Sequence, residues 1–515
     1  LLNLPPNPSS REAQELIGVA RERRGEPAKA RAEYELFLKL HPTGADADRV
    51  RKRLATLGTA APAATPAAVA PSAPRAQVWG SVAQGYYGGK SHSDTQLTTI
   101  TPATNATTID TQSLSATEQS EILTTVDLNA RYSVGAWDNR LVFRDTHGLS
   151  FLSGQPNGNR LVAAYGESRH VPTQSLVRVG RQYSTFGGIL GRFDGVIAGT
   201  GIGQGARVSV VGGRPADLIG DLKPSFYGLL LELDSPALRW SGNAYGILQR
   251  LDGRTDRRAA GGEVRYFDAE RSLLASADYD VSFRTLNVGT MQGTWQVRPG
   301  TMLNVLGDYR RTPSLQLSNA LLTGRNLTLA QLIETFGETQ ARDDARAVTP
   351  ISKVAYAGVT QQLGPRWQVG ADVRISSLSS VPEVGLLPAA PGTGTIYTYS
   401  AQLIGNALWG LNDVAVLNLS ALTGASRTGF SAGFTQRMQL RERWILEPSL
   451  RYYRQHDDVG VRLTRWSPGI KFAYRLRDHV QLEAEWTMDR AHTAGPVIDD
   501  NTTRHFFFLG YRWDF

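Results

Sequence analysis

Hydrophobic and polar residues alternate with a period of two from about residue 77 to the C-terminus. In 479–488, one face carries Val480, Leu482, Ala484, Trp486 and Met488. The segments 273–284, 366–375 and 465–476 repeat this alternation. Segments of about 10–12 residues match tilted strands that cross a bilayer and are about twice as long as strands of soluble sheets. The pattern therefore predicts a large antiparallel transmembrane β-barrel.

The connections between these segments also alternate in length, as in barrels of bacterial outer membranes. Short turns are predicted at Ala136–Asn139, Val171–Thr173, Ser235–Ala237, Arg298–Thr301, Gly364–Pro365, Arg441–Arg443 and Arg477–His479. Longer loops are predicted at about 92–119, 314–350, 381–393 and 492–501.

The number of strands depends on how the segment 191–213 is divided. A closed barrel with both ends on one side of the membrane needs an even number of strands. Counting 191–213 as two strands, with a turn near Gly203–Gly205, predicts about 22 strands, and 20 is the alternative.

The last strand, HFFFLGYRWDF, places hydrophobic side chains on one face up to the final residue. These residues are Phe507, Leu509, Tyr511, Trp513 and Phe515. The arrangement resembles the C-terminal signal by which the outer-membrane assembly machinery recognises its barrel substrates. The resemblance implies residence in the outer membrane of a Gram-negative bacterium, in contact with lipid and lipopolysaccharide.

Residues 9–57 have a helical pattern instead and belong to a predicted N-terminal domain over 1–57. Gly18, Ala30, Tyr34 and Pro42 have the spacing of a tetratricopeptide repeat, which this segment resembles, although an ordinary helical hairpin remains an alternative. Since one repeat cannot bury its own face, further repeats are expected before Leu1 of a processed or trimmed chain. The resemblance implies periplasmic helices that bind protein partners. The Ala/Pro-rich stretch 58–76 is a predicted linker to a barrel over 77–515.

The amino-acid composition argues against several kinds of functional site. The chain of 515 residues has no Cys, which excludes disulfides and thiolate chemistry. Its 8 His do not pair with carboxylates at metal-ligand spacing, and no catalytic or phosphate-binding motif is found. We therefore expect no catalytic, cofactor or metal site and no enzymatic activity. The formal charge of +8 comes from basic residues that are spread singly, so nucleic-acid binding is not expected.

An interior of this width cannot be filled by wall side chains alone, so it holds water, cargo or a plug. The proposed lumen-facing residues are Arg131, Arg239, Arg284, Arg374, Arg437, Arg451, Lys471, Arg475, Asp278, Asp280, Glu483 and Glu485. Tyr245 and Tyr453 are the aromatic residues expected to point inward. Helical spacing of Leu329, Leu332, Ile333 and Phe336 predicts a helix in the loop 314–350, either as a gate in the lumen or as a cap on the rim.

A periplasmic tetratricopeptide scaffold before a C-terminal barrel resembles the exporters of cellulose and of poly-N-acetylglucosamine in domain order. The resemblance implies an outer-membrane conduit for secretion of a polymer, either a polysaccharide or a protein fibre. The alternatives are a general or selective porin for small solutes, and an anchor for a surface fibre or periplasmic complex. Arg181–Gln182 and GRFDG at 191–195 loosely resemble general porins.

Overall fold

The computed structural model describes residues 10–23, 27–40, 45–58, 74–101, 106–184, 188–189, 191–203, 205–216, 222–234, 239–410 and 412–515. Within these ranges the barrel has 22 strands. They are β1 (Arg75–Thr101), β2 (Ala106–Val134), β3 (Trp137–Ser150), β4 (Gly158–His170), β5 (Ser175–Tyr183), β6 (Arg192–Gly201), β7 (Ala206–Pro215), β8 (Ser225–Asp234), β9 (Trp240–Leu251), β10 (Arg254–Phe267), β11 (Arg271–Asp280), β12 (Thr285–Arg298), β13 (Thr301–Arg311), β14 (Ile351–Leu363), β15 (Trp367–Leu378), β16 (Ile396–Asn406), β17 (Val414–Thr423), β18 (Arg427–Leu440), β19 (Trp444–Asp457), β20 (Arg462–Arg477), β21 (Val480–Ala494) and β22 (Ile498–Asp514).

The sheet closes on itself. Each strand pairs antiparallel with the next, and β22 pairs with β1 from Leu97–Ile498 to Ser81–Asp514. The predicted 22-stranded antiparallel barrel is therefore confirmed. The segment 191–213 contributes two strands, β6 and β7, and Gly203 and Gly205 in the turn have positive φ angles of 73° and 80°. Glycine adopts this left-handed backbone without the strain that a Cβ would cause.

The two ends of the barrel differ. We call the end that holds the start of β1 and the end of β22 the terminal end, and the opposite end the loop end. Six tryptophans lie near the terminal ends of their strands with 37–50% of their surface exposed, on the outward face: Trp137, Trp240, Trp295, Trp367, Trp444 and Trp513. Amphipathic rings at this level are typical of a membrane–water interface.

The wall is unusually tall on one side. Residues 92–119 and 492–501 were predicted to be loops, and this prediction is wrong, because β1 and β2 remain paired up to Thr101 and Ala106. In the same way, β21 and β22 remain paired up to Ala494 and Asp499. Threonine in these segments suits a strand, and cross-strand hydrogen bonds satisfy the backbone groups that a loop would leave to water.

The N-terminal helices are α1 (Ser10–Arg23), α2 (Pro27–Leu40) and α3 (Ala45–Gly58). Val19, Ala30, Tyr34, Phe37, Ala47 and Val50 form their core. A Cβ on Gly18 would lie 2.3 Å from the ring of Tyr34, so this close packing of α1 on α2 requires glycine. Pro42 and residues 59–73 of the predicted linker lie outside the described residues, and β1 already begins at Arg75. Among the residues that the structure describes, no helix is long and apolar enough to cross a bilayer.

Candidate functional site: the barrel interior

The inward face of the barrel differs from strand to strand. On β6–β12, inward side chains such as Phe193, Leu230 and Leu251 are almost fully buried. We call this inward face of β6–β12 the filled wall. The inward face of β13–β22 and β1–β4 carries mainly polar side chains that are partly exposed, and we call it the open wall. A wide barrel buries inward side chains only where another part of the chain covers them.

The covering chain is mainly the connection between β13 and β14, residues 312–350, which we call the insert. It folds into a 3-10 helix (Leu317–Thr323) and α4 (Leu329–Ala347). Thr328 starts α4 with a reciprocal cap, in which its Oγ1 accepts from the N–H of Gln331 and its own N–H donates to Gln331 Oε1. Gly337, with φ 84°, bends α4 near its middle.

The insert packs on the filled wall at the loop end. Its buried side chains form one cluster with Leu251 of β9 and Phe283 between β11 and β12. The members from the insert are Leu315, Leu317, Ala320, Leu329, Leu332, Ile333, Ala341 and Ala345. The predicted residues Leu329, Leu332 and Ile333 thus lie in this core, whereas Phe336 is 44% exposed beneath the guanidinium of Arg325. The helix therefore covers the inner side of the wall rather than an outer surface.

Buried polar groups hold the insert in register. The Asp256 carboxylate accepts from the N–H of Ser318 at 2.7 Å and from the Gln249 amide at 2.7 Å. Asn287 Oδ1 accepts from the N–H of Leu315 at 2.9 Å. Because these wall residues are buried, losing a partner would leave each unsatisfied at a cost of about 1–3 kcal/mol. This network favours one fixed position of the insert.

Further contacts stabilise the insert, both within the insert itself and between the insert and the turn that joins β11 to β12. Arg325 pairs with the buried carboxylate of Asp344 at 2.5 Å. The guanidinium groups of Arg342 and Arg346 lie 5.2 and 5.9 Å from the ring centre of Phe283. The C-terminal half of α4 is thereby attached to the turn between β11 and β12.

A second inward connection, between β5 and β6, covers the adjacent part of the filled wall. Gly188 and Ile189 are buried there, and Ile189 packs with Phe193, Ile197, Val211, Phe226, Leu230, Tyr245 and Ile247. A Cβ on Gly188 would lie 2.4 Å from the Tyr245 ring, so only glycine allows this approach. The cluster residues lie on the face opposite the outward Val196, Val210 and Leu229.

A buried ion pair joins this connection to the wall. Arg257 of β10 is 1% exposed and donates to the carbonyl of Gly188 at 2.7 Å and to Asp278 Oδ2 at 2.5 Å. The Tyr245 hydroxyl donates to the same carboxylate oxygen at 2.8 Å. Asp278 thus acts as the acceptor for two wall residues.

The proposed lumen-facing residues lie in three kinds of position. The strands place these on the open wall: Arg131, Arg374, Arg437, Arg451, Lys471, Arg475, Glu483 and Glu485. Asp278 and Asp280 point inward but are buried, since the covering connections exclude the lumen from them. Arg239 and Arg284 do not lie on the lumen wall, because they fall in turns at opposite ends of the barrel.

The inward aromatic residues were predicted only in part. The two predicted ones do point inward: Tyr245 is buried in the filled wall, and Tyr453 lies inward on β19. Tyr87 and Phe508 also point inward, with ring centres 4.7 Å apart, and Phe506 lies on the same face of β22. The run Phe506–Phe507–Phe508 could have predicted inward rings, because successive residues of a strand point to opposite faces.

No family model and no curated protein matches the chain. Solved structures show similar barrels. OccK2 (OpdF) of Pseudomonas aeruginosa has 11% identity and a TM-score of 0.35, covering 84% of this chain and 98% of that chain. OccAB2 of Acinetobacter baumannii has 10% identity and a TM-score of 0.36, with coverage of 84% and 98%. The ferric enterobactin receptor PfeA of P. aeruginosa, in a mutant form, has 9% identity and a TM-score of 0.43, with coverage of 85% and 80%.

These findings correct the expected function. The prediction of a polymer-export conduit was wrong, and the comparisons agree better with the alternative of a porin. The resemblance in domain order misled because it rested on two short motifs and not on the strands of the barrel. The predicted location is confirmed: the chain is a β-barrel of the bacterial outer membrane, surrounded by its lipid and lipopolysaccharide.

Proposed function

We propose that this chain is a porin, a water-filled diffusion channel for small polar solutes that the insert narrows at the loop end. The observation that carries the proposal is the packing of the insert on inward-facing side chains of the filled wall. The solute path then follows the open wall, where mixed charges such as Lys471 and Glu483 line the interior. Polar side chains of both signs suit a channel for hydrated solutes.

A narrowed channel also agrees with the way the insert is held. Releasing it would expose the apolar cluster around Leu332 and leave Asp256 without the N–H of Ser318. Both changes cost free energy, so the insert is a constant obstruction rather than a freely swinging lid. A thick polymer would have to displace it, whereas a small solute passes beside it.

The orientation follows from the loops. Short turns face the periplasm in barrels of this kind, so the terminal end and helices α1–α3 are assigned to the periplasm. Packing of Gly18 against Tyr34 supports a tetratricopeptide-like helical hairpin, for which we propose a role in binding periplasmic proteins. The outward position of Phe507 and Leu509 supports recognition of β22 by the assembly machinery.

The test is single-channel conductance of the full chain in planar bilayers, before and after removal of the insert. Arg311 of β13 and Ile351 of β14 are paired neighbours, so a short turn can replace 312–350 without disturbing the strands. We expect a small, steady conductance for the full chain and a several-fold larger conductance for the variant.

The matched control removes residues 98–109 from the tip of the β1–β2 hairpin, which lies away from the insert, and should leave conductance unchanged. Removal of residues 1–57 should also leave it unchanged. An unchanged conductance after removal of the insert contradicts the proposed constriction. A full chain that folds but conducts no ions contradicts the porin function itself.

A further inference from the structure

Four side chains form a continuous row across the open wall where the barrel closes. Glu485 of β21 lies directly opposite Phe508 of β22, which lies opposite Tyr87 of β1, which lies opposite Glu121 of β2. Residues directly opposite each other in antiparallel pairs share a face and lie about 5 Å apart at their Cβ atoms. We call these four residues the aromatic–acidic row. It places two rings between two carboxylates.

The rings of the row lie against the wall. A Cβ on Gly85 would lie 2.2 Å from the Phe508 ring, and one on Gly510 would lie 2.7 Å from it. The ring therefore occupies the space above these glycines while remaining partly exposed on the inward side of the wall. Phe506 extends the surface, since its ring lies 3.0 Å from the corresponding position on Gly89. Tyr87 and Phe508 are both partly exposed, so a solute can reach them.

The charged side chains around the row leave the carboxylates of Glu485 and Glu121 available to bind a solute. Lys471, the cross-strand neighbour of Glu485, points to Glu483 at 3.4 Å. The exposed Glu485 has no hydrogen-bond or ion-pair partner among the described residues. Glu121 accepts one hydrogen bond, from the Gln119 amide at 2.7 Å. Arg504, the inward cation above Phe506, is paired with Glu118 at 3.1 Å.

We infer that the aromatic–acidic row is a binding site for organic cations with a flat or apolar part, such as a protonated amine attached to a ring. The negative faces of Phe508 and Tyr87 attract a cation, and the apolar part of the solute stacks on them. Glu485 and Glu121 supply charge-assisted hydrogen bonds on either side. The inference rests on the proposed channel, because it adds the class of solute that the channel retains on its way.

The probes are phenethylammonium and phenylacetate, which have similar shapes and opposite charges. Calorimetry on the detergent-solubilised full chain measures their binding, and concentration-dependent interruption of single-channel current measures their entry into the channel and their residence there. We expect phenethylammonium to bind and to interrupt the current, whereas phenylacetate does neither at the same concentrations. The substitutions Phe508→Leu and Glu485→Gln should each weaken phenethylammonium binding by roughly fivefold or more.

Each substitution has a matched control. Phe507→Leu changes the neighbouring phenylalanine, which faces outward beside Tyr86 with ring centres 5.6 Å apart, and should leave binding unchanged. Asp372→Asn removes an inward carboxylate on β15, far from the row, and should also leave it unchanged. Equal binding of both probes, or equal effects of Phe508→Leu and Phe507→Leu, overturns the inference.

The two proposals fail separately. If the folded chain conducts no ions but binds phenethylammonium through Phe508, the site stands and the porin function falls. If it conducts ions but shows no preference for phenethylammonium, the porin function stands and the site falls.

Discussion

The filled wall and the open wall use the same strand geometry for opposite purposes. On the filled wall, Phe226 and Leu230 point inward and Leu229 points outward, so β8 is apolar on both faces from Phe226 to Leu231. On the open wall, β15 is apolar only outward and presents Asp372 and Arg374 to the lumen. A strand that is covered on both sides has a nearly continuous apolar sequence, whereas a strand with one wet face alternates. About a third of this barrel, the seven strands of the filled wall, is therefore built as a protein core, and most of the rest is built as a channel lining.

The largest expected effect on the free energy of unfolding comes from breaking an Arg–Asp pair of the filled wall, compared with breaking one of the open wall. Arg257→Met leaves the buried carboxylate of Asp278 without its cation, and we expect it to lower the free energy of unfolding by about 3–5 kcal/mol. Arg131→Met breaks the pair of Arg131 with Asp138 on the open wall, where the arginine is 39% exposed, and should cost less than about 1 kcal/mol. Denaturant titration of both variants in lipid vesicles measures the difference.

The double variant Arg257→Met/Asp278→Leu is the control for the buried pair. Removing both charges should restore a large part of the stability, because no unpaired charge then remains buried. Equal losses for Arg257→Met and Arg131→Met would show that the filled wall is not a dry core.

A smaller, more local effect is expected within the insert. Leu332→Ala creates a cavity in the cluster that joins α4 to Leu251, and it should destabilise the insert by about 2–5 kcal/mol. Hydrogen exchange of α4 should then become faster while exchange in the open wall stays unchanged. Phe336→Ala removes a side chain that is 44% exposed, and it should change the free energy of opening that hydrogen exchange in α4 measures by less than about 1 kcal/mol. Faster exchange throughout the barrel would mean that the insert is not a separate unit.

The smallest effect on stability is expected for charges of the open wall, where function should change instead. Lys471→Gln leaves Glu483 without its cation and should lower the free energy of unfolding by less than about 1 kcal/mol. The reversal potential in a salt gradient should shift toward cation selectivity. Lys353→Gln, on the outward face beside Tyr309, is the control and should not shift it. A shift of equal size in both variants would contradict the assignment of Lys471 to the solute path.

The sequence predicted the barrel well and its interior only in part. The strand count and the inward position of Arg374 and Glu485 follow from alternation, since the side-chain period of a strand is set locally. The helix with Leu329 and Leu332 was also predictable from its spacing, but its gate and rim positions could not be distinguished. That position depends on Leu251 and Asp256, more than 60 residues away in the chain.

Asp278 and Asp372 show most clearly what the sequence determines and what the tertiary structure decides. By itself, the sequence determined that both carboxylates point into the barrel, because both occupy inward positions of alternating strands. Only the tertiary structure decided that Asp278 is buried beneath Arg257 and the Gly188 carbonyl while Asp372 remains in the lumen. The physical reason is that alternation is a property of neighbouring residues, whereas burial of an inward side chain depends on which distant connection folds over it. Arg257 and Gly188 are 69 positions apart in the chain, a separation that no local pattern encodes.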